Sequence, residues 1–259
     1  MIRLDGVTKR FGPLPVLRGI DLALAPGRVT AVVGPNASGK STLIKCILGL
    51  ASPDAGRIVL PDGRDVREPA ARGAIGYMPQ AARFPENLTG HEVLAMLDAL
   101  RPEVAPDDTL LERFALAAQL HKPVRTLSGG TRQKLSAVVA FRYRPSLLVL
   151  DEPSAGLDPL ATSIFKAAVL AARDAGTTVL LTSHVVSELE TMADDVAFLL
   201  DGTIRFAGPV AALLARTGAR SLEAALAQLM RAPADAIPDA ALHHHHDEPT
   251  LRVVNGERR

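Results

Sequence analysis

Short apolar segments and amphipathic segments alternate along most of the chain. Residues 2–7 and 20–24 alternate apolar and polar positions, which is the pattern of half-buried strands. Mostly aliphatic runs predict further strands at residues 29–33, 57–60, 75–78, 147–150, 179–181 and 196–200. Helical spacing predicts helices at residues 43–50, 128–143, 159–173, 186–192 and 221–230. Strands that alternate with helices predict an α/β fold with a mainly parallel sheet.

Two further stretches have patterns of their own. Residues 85–125 are helical in pattern and rich in polar positions, with breaks at Pro102, Pro106 and Pro123, so they predict a helical insert between core elements. Asp201-Gly202 lies between two apolar runs and predicts a tight hairpin. The last part of the chain is rich in Ala, Pro and charge, and we expect this tail to be loosely ordered.

The composition narrows the classes of partner. The chain has 259 residues, a net charge of +1 and 3% aromatic residues, so it lacks the basic face and the stacking platforms of nucleic-acid binders. We therefore expect no nucleic-acid partner. The single cysteine, Cys46, excludes an internal disulfide and fits a reducing compartment. We expect no signal peptide, and no apolar run approaches the ~20 residues of a membrane-spanning helix, so a membrane process would need a second chain.

A glycine-rich segment points to phosphate chemistry. Residues 34–41 match the pattern G-x-x-x-x-G-K-[ST], with a predicted strand before them and a predicted helix after them. The glycines let backbone N–H groups turn toward phosphate oxygens, and the helix N-terminus adds positive potential. In this pattern Lys40 would bridge the β- and γ-phosphates and Ser41 would bind Mg²⁺. The sequence therefore predicts a site for a nucleoside triphosphate.

Acidic and polar residues follow other predicted strands. Asp151 and Glu152 end a buried strand, and ligands of open parallel sheets bind at that edge. Asp151 would hold Mg²⁺, and Glu152 would orient or deprotonate the attacking water. Gln80 and His184 also follow strands, so both are candidates to face the terminal phosphate. A lone Gln or His is usually structural, and these two gain weight only from their neighbours.

A second glycine-rich segment, residues 127–133, opens the helix predicted from about residue 128. The Ser128 hydroxyl and the amides of Gly129 and Gly130 would lie at the N-terminus of that helix, where an anion is favoured. We call residues 127–133 the signature segment.

Taken in order, these motifs resemble those of the ATP-binding subunits of ABC transporters, over roughly residues 1–210. Asp151 and Glu152 resemble the Walker B aspartate and the catalytic base, and His184 resembles the switch histidine. The resemblance implies that ATP is held by the residues of the phosphate loop: Gly34, Pro35, Asn36, Ala37, Ser38, Gly39, Lys40, Ser41 and Thr42.

The same resemblance assigns the remaining motifs. Phe11 is similar to the aromatic residue that stacks on adenine, and residues 155–158 are similar to the D-loop. Gln80 resembles the glutamine that senses Mg²⁺ and the γ-phosphate and touches the membrane partner. The signature segment contains Ser128, Gly129 and Gly130 as the family does, whereas Thr131 replaces a common Gln, which puts only fine tuning in doubt.

The resemblance implies a P-loop NTPase fold of the ABC-ATPase type. Its expected parts are a RecA-like parallel sheet core, an N-terminal antiparallel β subdomain and a helical subdomain at about residues 82–145. Residues 1–210 would form the ATPase domain, and residues 211–259 a C-terminal helical extension and flexible tail. Glu152, His184 and Gln80 would act in hydrolysis, while Ser41, Gln80 and Asp151 would hold Mg²⁺.

The resemblance also implies the partners. Each signature segment would close over the ATP held by the other subunit of a head-to-tail homodimer, so that two ATP molecules are sandwiched. The subunit would work at the cytoplasmic face of the membrane, on a separate polytopic permease of the simple export type. The alternative is a soluble ABC-type ATPase of repair, translation or cofactor assembly.

Two narrower expectations concern particular segments. Residues 77–89, where the family meets its permease, resemble the ATPase subunits encoded with nitrous oxide reductase maturation systems, which would make copper-site assembly the purpose of transport. The run His243 to His246 is either a weak Cu or Zn site, a solvated tail or a segment added by engineering.

Overall fold

The computed structural model describes residues 1–231. Within that range the strands are β1 (Ile2–Phe11), β2 (Leu14–Leu24), β3 (Val29–Val33), β4 (Ala55–Val59), β5 (Ile75–Met78), β6 (Leu147–Asp151), β7 (Thr178–Thr182), β8 (Asp195–Leu200) and β9 (Thr203–Pro209). The α-helices of the same range are α1 (Lys40–Ile47), α2 (Gly90–Ala99), α3 (Thr109–Arg113), α4 (Gly129–Phe141), α5 (Pro159–Asp174), α6 (Val186–Met192), α7 (Val210–Thr217) and α8 (Leu222–Arg231). The predicted loose tail and His243 to His246 lie outside the described residues.

The strands form two sheets. β1, β2 and β4 make an antiparallel sheet in the order β2-β1-β4. The other six strands follow the order β5-β6-β7-β3-β8-β9, and only the pair β8–β9 is antiparallel. The predicted parallel core and N-terminal antiparallel unit are therefore confirmed. The predicted hairpin joins β8 to β9, with Asp201 and Gly202 at φ 49° and 77°, as a type I′ turn needs.

The first two strands are longer than their alternation predicts. The pattern placed strands at residues 2–7 and 20–24, whereas the pairing of β1 with β2 continues to Phe11 opposite Leu14. Most residues near this turn are partly or fully exposed, so they carry no apolar alternation that would mark a strand. Irregular pairing after Leu4, Val7 and Lys9 also breaks the period of two.

Both faces of the parallel sheet are covered. One face packs against α1 and the antiparallel sheet, through side chains that include Ile2, Val7, Ile20, Leu43, Ile47, Leu147 and Val149. The other face packs against α4, α5, α6 and α8, through side chains that include Leu148, Leu150, Phe165, Leu181, Leu189 and Leu226. Successive residues of a strand point to opposite faces, and both faces are buried here. This explains the uninterrupted apolar runs of β3, β6 and β7.

The stretch predicted to be a helical insert contains α2 and α3, with 3₁₀ turns at Ala117–Gln119 and Val124–Thr126. A capping box begins α2, because the Thr89 side chain accepts from the Glu92 N–H while the Glu92 carboxylate accepts from the Thr89 N–H. The insert is therefore helical with a defined start.

Within the described residues two helices, α7 and α8, follow β9. The helix expected at residues 221–230 is α8, and its buried side chains pack against α6 and α7. Glu190 of α6 accepts a hydrogen bond from the Leu222 N–H at 2.6 Å, at the start of α8. Within residues 1–231 no helix has the length and apolar character that a membrane crossing requires.

Candidate functional site

The phosphate loop, residues 34–42, connects β3 to α1 and has space only for glycine at two positions. A Cβ on Gly34 would lie 2.1 Å from the Leu199 carbonyl oxygen and 2.8 Å from Ser38 Oγ. Gly39 has φ 110°, and a Cβ there would lie 3.0 Å from Leu17 Cδ2. Any larger residue would therefore push the loop away from the strands that hold it.

Lys40 is the first residue of α1 and lies within the phosphate loop. Its Nζ donates to the carbonyl oxygens of Gly34 at 2.7 Å and Pro35 at 3.0 Å. Burial lowers the pKa of Lys40, and the negative charges of Glu152 and Asp151 oppose that shift. In the parallel sheet β7 lies between β3 and β6, so the carboxyl ends of β3 and β6, which carry the phosphate loop and the acidic pair, lie at the same edge.

The loop fits a phosphate group. Ser38 is buried, and its Oγ has no hydrogen-bond partner, so a buried polar atom is left for a ligand to satisfy. Asn36, Ala37 and Ser41 are exposed, and Ala37 adopts φ 63° at the bend of the loop. A hydroxyl without a partner, a lysine ammonium and the free N–H groups at the start of α1 form the donor set that phosphate requires.

The acidic pair lies at the end of β6, two strands away from β3. Thr182 Oγ1 donates to Asp151 Oδ1 at 2.6 Å, and the Glu152 N–H donates to the Thr182 carbonyl at 3.1 Å. Glu152 has φ 51°, a left-handed conformation that costs a residue with a side chain about 1–3 kcal/mol. Such strain persists where neighbouring contacts hold it, and it is concentrated at functional sites.

His184 lies just past β7 and contacts the acidic pair. Its Nε2 is 2.9 Å from Glu152 Oε1. The Glu152 side chain is only 14% exposed, whereas that of His184 is 56% exposed. The structure therefore brings Lys40, Asp151, Glu152 and His184 to the carboxyl edge of the parallel sheet.

Two predicted site residues lie further out. Gln80 is exposed two residues beyond β5, which pairs in register with β6 so that Met78 is opposite Leu150. Phe11 lies at the β1–β2 turn of the antiparallel sheet rather than at the strand edge. It is exposed, and Lys9 Nζ lies 5.6 Å from the centre of its ring.

The signature segment begins α4 with an exposed surface. Ser128 is the N-cap, and its Oγ accepts from the Thr131 N–H at 3.1 Å and lies 2.8 Å from Thr131 Oγ1. Gly129 follows in the first turn and is exposed, and Gly130 is half-buried. Thr131 therefore engages the Ser128 hydroxyl, which is the structural effect of its replacing the family's common Gln.

The sequence did not predict how closely α4 is joined to the acidic segment. Gln133 is buried, and its Nε2 donates to the Pro153 carbonyl at 3.4 Å. Lys134 Nζ lies 2.8 Å from Asp158 Oδ2, and Asp158 also caps α5. These partners lie 20 and 24 residues apart along the chain, so no local pattern could have paired them.

The phosphate loop, the acidic pair at the end of β6 and His184 together define a P-loop protein that binds a nucleoside triphosphate. A family model described as "ABC transporter" matches residues 17–155, which is more than half of the chain. A second model, described as an AAA domain of a putative AbiEii toxin, matches residues 122–190. The chain belongs to the ABC transporter family, as one of its ATP-binding, ATP-hydrolysing subunits.

Relatives support this membership along most of the chain. The daunorubicin resistance ATP-binding protein DrrA3 of Streptomyces coeruleorubidus is 38% identical over 87% of this chain and 73% of its own length. The Nod factor export ATP-binding protein I of Azorhizobium caulinodans is 35% identical over 84% of this chain and 70% of its own. A solved ATP-binding subunit of an ABC transporter superposes with TM-score 0.82 at 27% identity, over 89% of this chain and all of that one.

Proposed function

We propose that the phosphate loop, Asp151, Glu152 and His184 form one ATP hydrolysis site that is completed by a second copy of the chain and drives a separate membrane permease. One observation carries the proposal: His184 contacts the Glu152 carboxylate at 2.9 Å while Glu152 is held in a strained conformation at the end of β6. A half-buried carboxylate with a fixed orientation is suited to act as a general base.

The phosphate loop would hold the triphosphate. Lys40 exchanges the carbonyls of Gly34 and Pro35 for phosphate oxygens, because an anionic acceptor adds the attraction of opposite full charges, which a neutral carbonyl lacks. Ser38 Oγ and the loop N–H groups add donors. The exposed ring of Phe11 offers a face on which adenine stacks.

The metal proposal involves Ser41, Gln80 and Asp151. Their hydroxyl, amide and carboxylate oxygens are of the type that Mg²⁺ prefers. When bound, Mg²⁺ neutralises phosphate charge. Thr182 contributes by donating to Asp151 Oδ1, which fixes the orientation of that carboxylate.

Glu152 would accept the proton of the attacking water. As the water oxygen bonds to the terminal phosphorus, the bond from that phosphorus to the oxygen of ADP breaks, and the proton moves to Glu152 Oε. His184 would fix the carboxylate through its 2.9 Å contact, and because its side chain is exposed it would also be free to contact the terminal phosphate.

The homodimer proposal rests on the exposed signature segment. Ser128 and Gly129 are exposed at a helix N-terminus, which is the environment that favours an anion. A second subunit's ATP would supply that anion. Because both subunits would contact each ATP, ATP binding would close the dimer, and ATP hydrolysis would let the dimer open again.

The transport proposal is supported by the relatives. One is named for drug resistance and the other for Nod factor export, which favours an export-type permease, at the cytoplasmic face of the membrane, over the alternative of a non-transport ATPase. Neither is named for copper-site maturation, so that narrower expectation lacks support. We also propose residues 1–210 as the ATPase domain, with the helical subdomain at about residues 82–145, and residues 211–259 as its extension.

The test replaces the general base. Glu152→Gln keeps the size of the side chain but removes the proton acceptor, so turnover is expected to fall by about 10²–10⁴-fold. With Mg²⁺ and ATP this variant is expected to elute as a dimer in size-exclusion chromatography. Glu223→Gln, an exposed change on α8, is the control and should retain wild-type turnover. Wild-type turnover in Glu152→Gln, or a monomer with Mg²⁺ and ATP, would contradict the proposal.

A further inference from the structure

One carboxylate touches both segments that carry the hydrolysis residues. Ser154 Oγ donates to Glu188 Oε2 at 2.5 Å, and Ser183 Oγ donates to the same oxygen at 3.4 Å. Ser154 lies two residues after Glu152, and Ser183 immediately precedes His184. Glu188 itself lies in the first turn of α6 and is half-buried.

These contacts close a ring. Glu152 and His184 meet at 2.9 Å on one side, and Ser154 and Ser183 meet through Glu188 on the other. The Val185 N–H donates to Ser183 Oγ at 3.0 Å, so the Ser183 hydroxyl is itself held in place. Thr182 also joins the two segments, through its contacts with Asp151 and Glu152. Breaking the ring at Glu188 therefore removes the link on the far side of the Glu152–His184 contact and leaves the Ser154 and Ser183 hydroxyls without their shared acceptor.

The ring can hold its two segments only if Glu188 is itself held in position, and packing of α6 does this. Leu189 and Met192 of α6 are buried in the core, and Glu190 accepts from the Leu222 N–H of α8 at 2.6 Å. Helix α6 is thus held from the opposite side by the C-terminal helix. The Glu188 carboxylate is directed to Ser154 and Ser183 rather than to a backbone N–H of its own helix, so its role is not that of an ordinary cap.

We propose that Glu188 is a positioning residue for ATP hydrolysis, which holds the Glu152 and His184 segments in register with each other. This inference rests on the proposed function. Residues that orient catalytic groups typically change the rate by about 10–100-fold when removed, without contacting the substrate.

The first test measures kcat and ATP affinity separately. Glu188→Ala is expected to lower kcat by about 10–100-fold while the ATP dissociation constant stays within about twofold, since the phosphate loop lies on other elements. Glu188→Gln keeps an oxygen acceptor for Ser154 and is expected to recover most of the lost kcat. Glu223→Gln makes the same change of acid to amide at an exposed position of α8, outside the ring, and serves as the control with wild-type kcat.

The second test asks whether the two side chains act together. Ser154→Ala is expected to lower kcat, and the double variant with Glu188→Ala should be no slower than Glu188→Ala alone, because Glu188→Ala already removes the contact with Ser154. Wild-type kcat in Glu188→Ala, a Gln variant as slow as the Ala variant, or losses that multiply in the double variant would overturn the inference. Thermal unfolding and ATP titration of each variant identify one that has lost its fold.

The two proposals fail in different ways. If the wild-type chain hydrolyses ATP, Glu152→Gln is inactive and Glu188→Ala is unchanged, only the positioning role is wrong. If the wild-type chain shows no hydrolysis or Glu152→Gln stays active, the proposed site itself is wrong.

Discussion

Two glycine-rich segments each begin a helix in this protein, and their glycines have different surroundings. In the phosphate loop a Cβ on Gly34 would lie 2.1 Å from a backbone oxygen of β8, and Gly39 needs φ 110°. In the signature segment a Cβ on Gly129 meets nothing within 4 Å, and one on Gly130 meets only the Gly156 oxygen at 3.0 Å. The chain itself therefore explains the glycines of the first segment but not Gly129 of the second.

The hydroxyls differ in the same way. Ser38 Oγ of the phosphate loop is buried without a hydrogen-bond partner, whereas Ser128 Oγ is exposed and already contacts Thr131. The phosphate loop thus has a buried donor without a partner, whereas the hydroxyl of the signature segment is at the surface. A small residue on an open surface suits close approach by something outside the chain, which is why we assign the signature segment to the partner's ATP.

Of the effects that the comparison of the two segments predicts, the largest is on the phosphate loop. Lys40→Ala removes the ammonium that would contact the phosphates, so ATP affinity is expected to fall by about 10–100-fold, given about 1.5–3 kcal/mol for a hydrogen bond to a charged group. Equilibrium titration with ATP measures it. Lys45→Ala changes an exposed lysine of the same helix and should leave affinity unchanged. Equal ATP affinity in Lys40→Ala and Lys45→Ala would contradict the prediction that Lys40 binds the phosphates.

The next largest expected effect distinguishes the signature segment from the phosphate loop. Gly129→Ala has open space in its own chain and gains helix propensity, so its stability should equal or exceed that of the wild type by up to about 1 kcal/mol. If a partner's ATP packs against Gly129, turnover nevertheless falls by roughly tenfold or more, because small displacements at a reacting centre are costly. ATP affinity of the monomer stays unchanged. Gly73→Ala, also in open space, is the control, and wild-type turnover in Gly129→Ala would show that no partner approaches this surface.

Mixing the two variants sharpens the result. In a dimer of Lys40→Ala with Gly129→Ala, one site carries both changes and the other carries neither, if the signature segment serves the partner. With random pairing of two such chains about a quarter of wild-type turnover returns. If the segment serves its own phosphate loop, every site has one change, and the mixture of co-expressed chains remains as inactive as its parts.

Some features of the fold and the site could be predicted because local sequence patterns carry them. The phosphate loop concentrates its chemistry in consecutive residues between two regular elements, so spacing alone identified Lys40 and Ser41. The strands of the parallel sheet were predicted because burial on both faces leaves uninterrupted apolar runs. The β1–β2 hairpin was predicted too short because its exposed part carries no such pattern.

Other features depend on residues that meet only after folding. The strained φ of Glu152 reflects contacts with Thr182, which is 30 residues away. Glu188 reaches Ser154 over 34 residues, and a glutamate in a short helix gives no local sign of such a partner. Sequence patterns predicted which residues would carry the chemistry, while the contacts that orient them required the structure.

The C-terminal end of α4, the helix that the signature segment begins, is held by ion pairs. Arg142, directly after α4, is 5% exposed, and Asp98 of α2 accepts from its Nε and Nη2, each at 2.9 Å. Asp108 accepts from its Nη1, and the Tyr143 hydroxyl donates to Asp98 at 2.7 Å. The Arg142 guanidinium holds the pKa of Asp98 below its ordinary value, while burial raises the pKa of Tyr143 to about 12. This cluster fixes α4 to the helical insert.

The smallest expected effect tests this anchor. Asp98→Asn leaves a buried guanidinium with a weaker partner, so the free energy of unfolding should fall by about 1–3 kcal/mol in a denaturant titration, with ATP affinity unchanged. Because the folded-state pKa of Asp98 is depressed, its stabilisation is present above the ordinary carboxyl pKa of about 3.9 and is lost as the pH falls through the lower folded value. The wild type and the variant should therefore converge in acid. Asp174→Asn, at an exposed pair with Arg173, should cost at most about 1 kcal/mol. An equal loss in both variants would show that α4 is held by its apolar face rather than by Arg142.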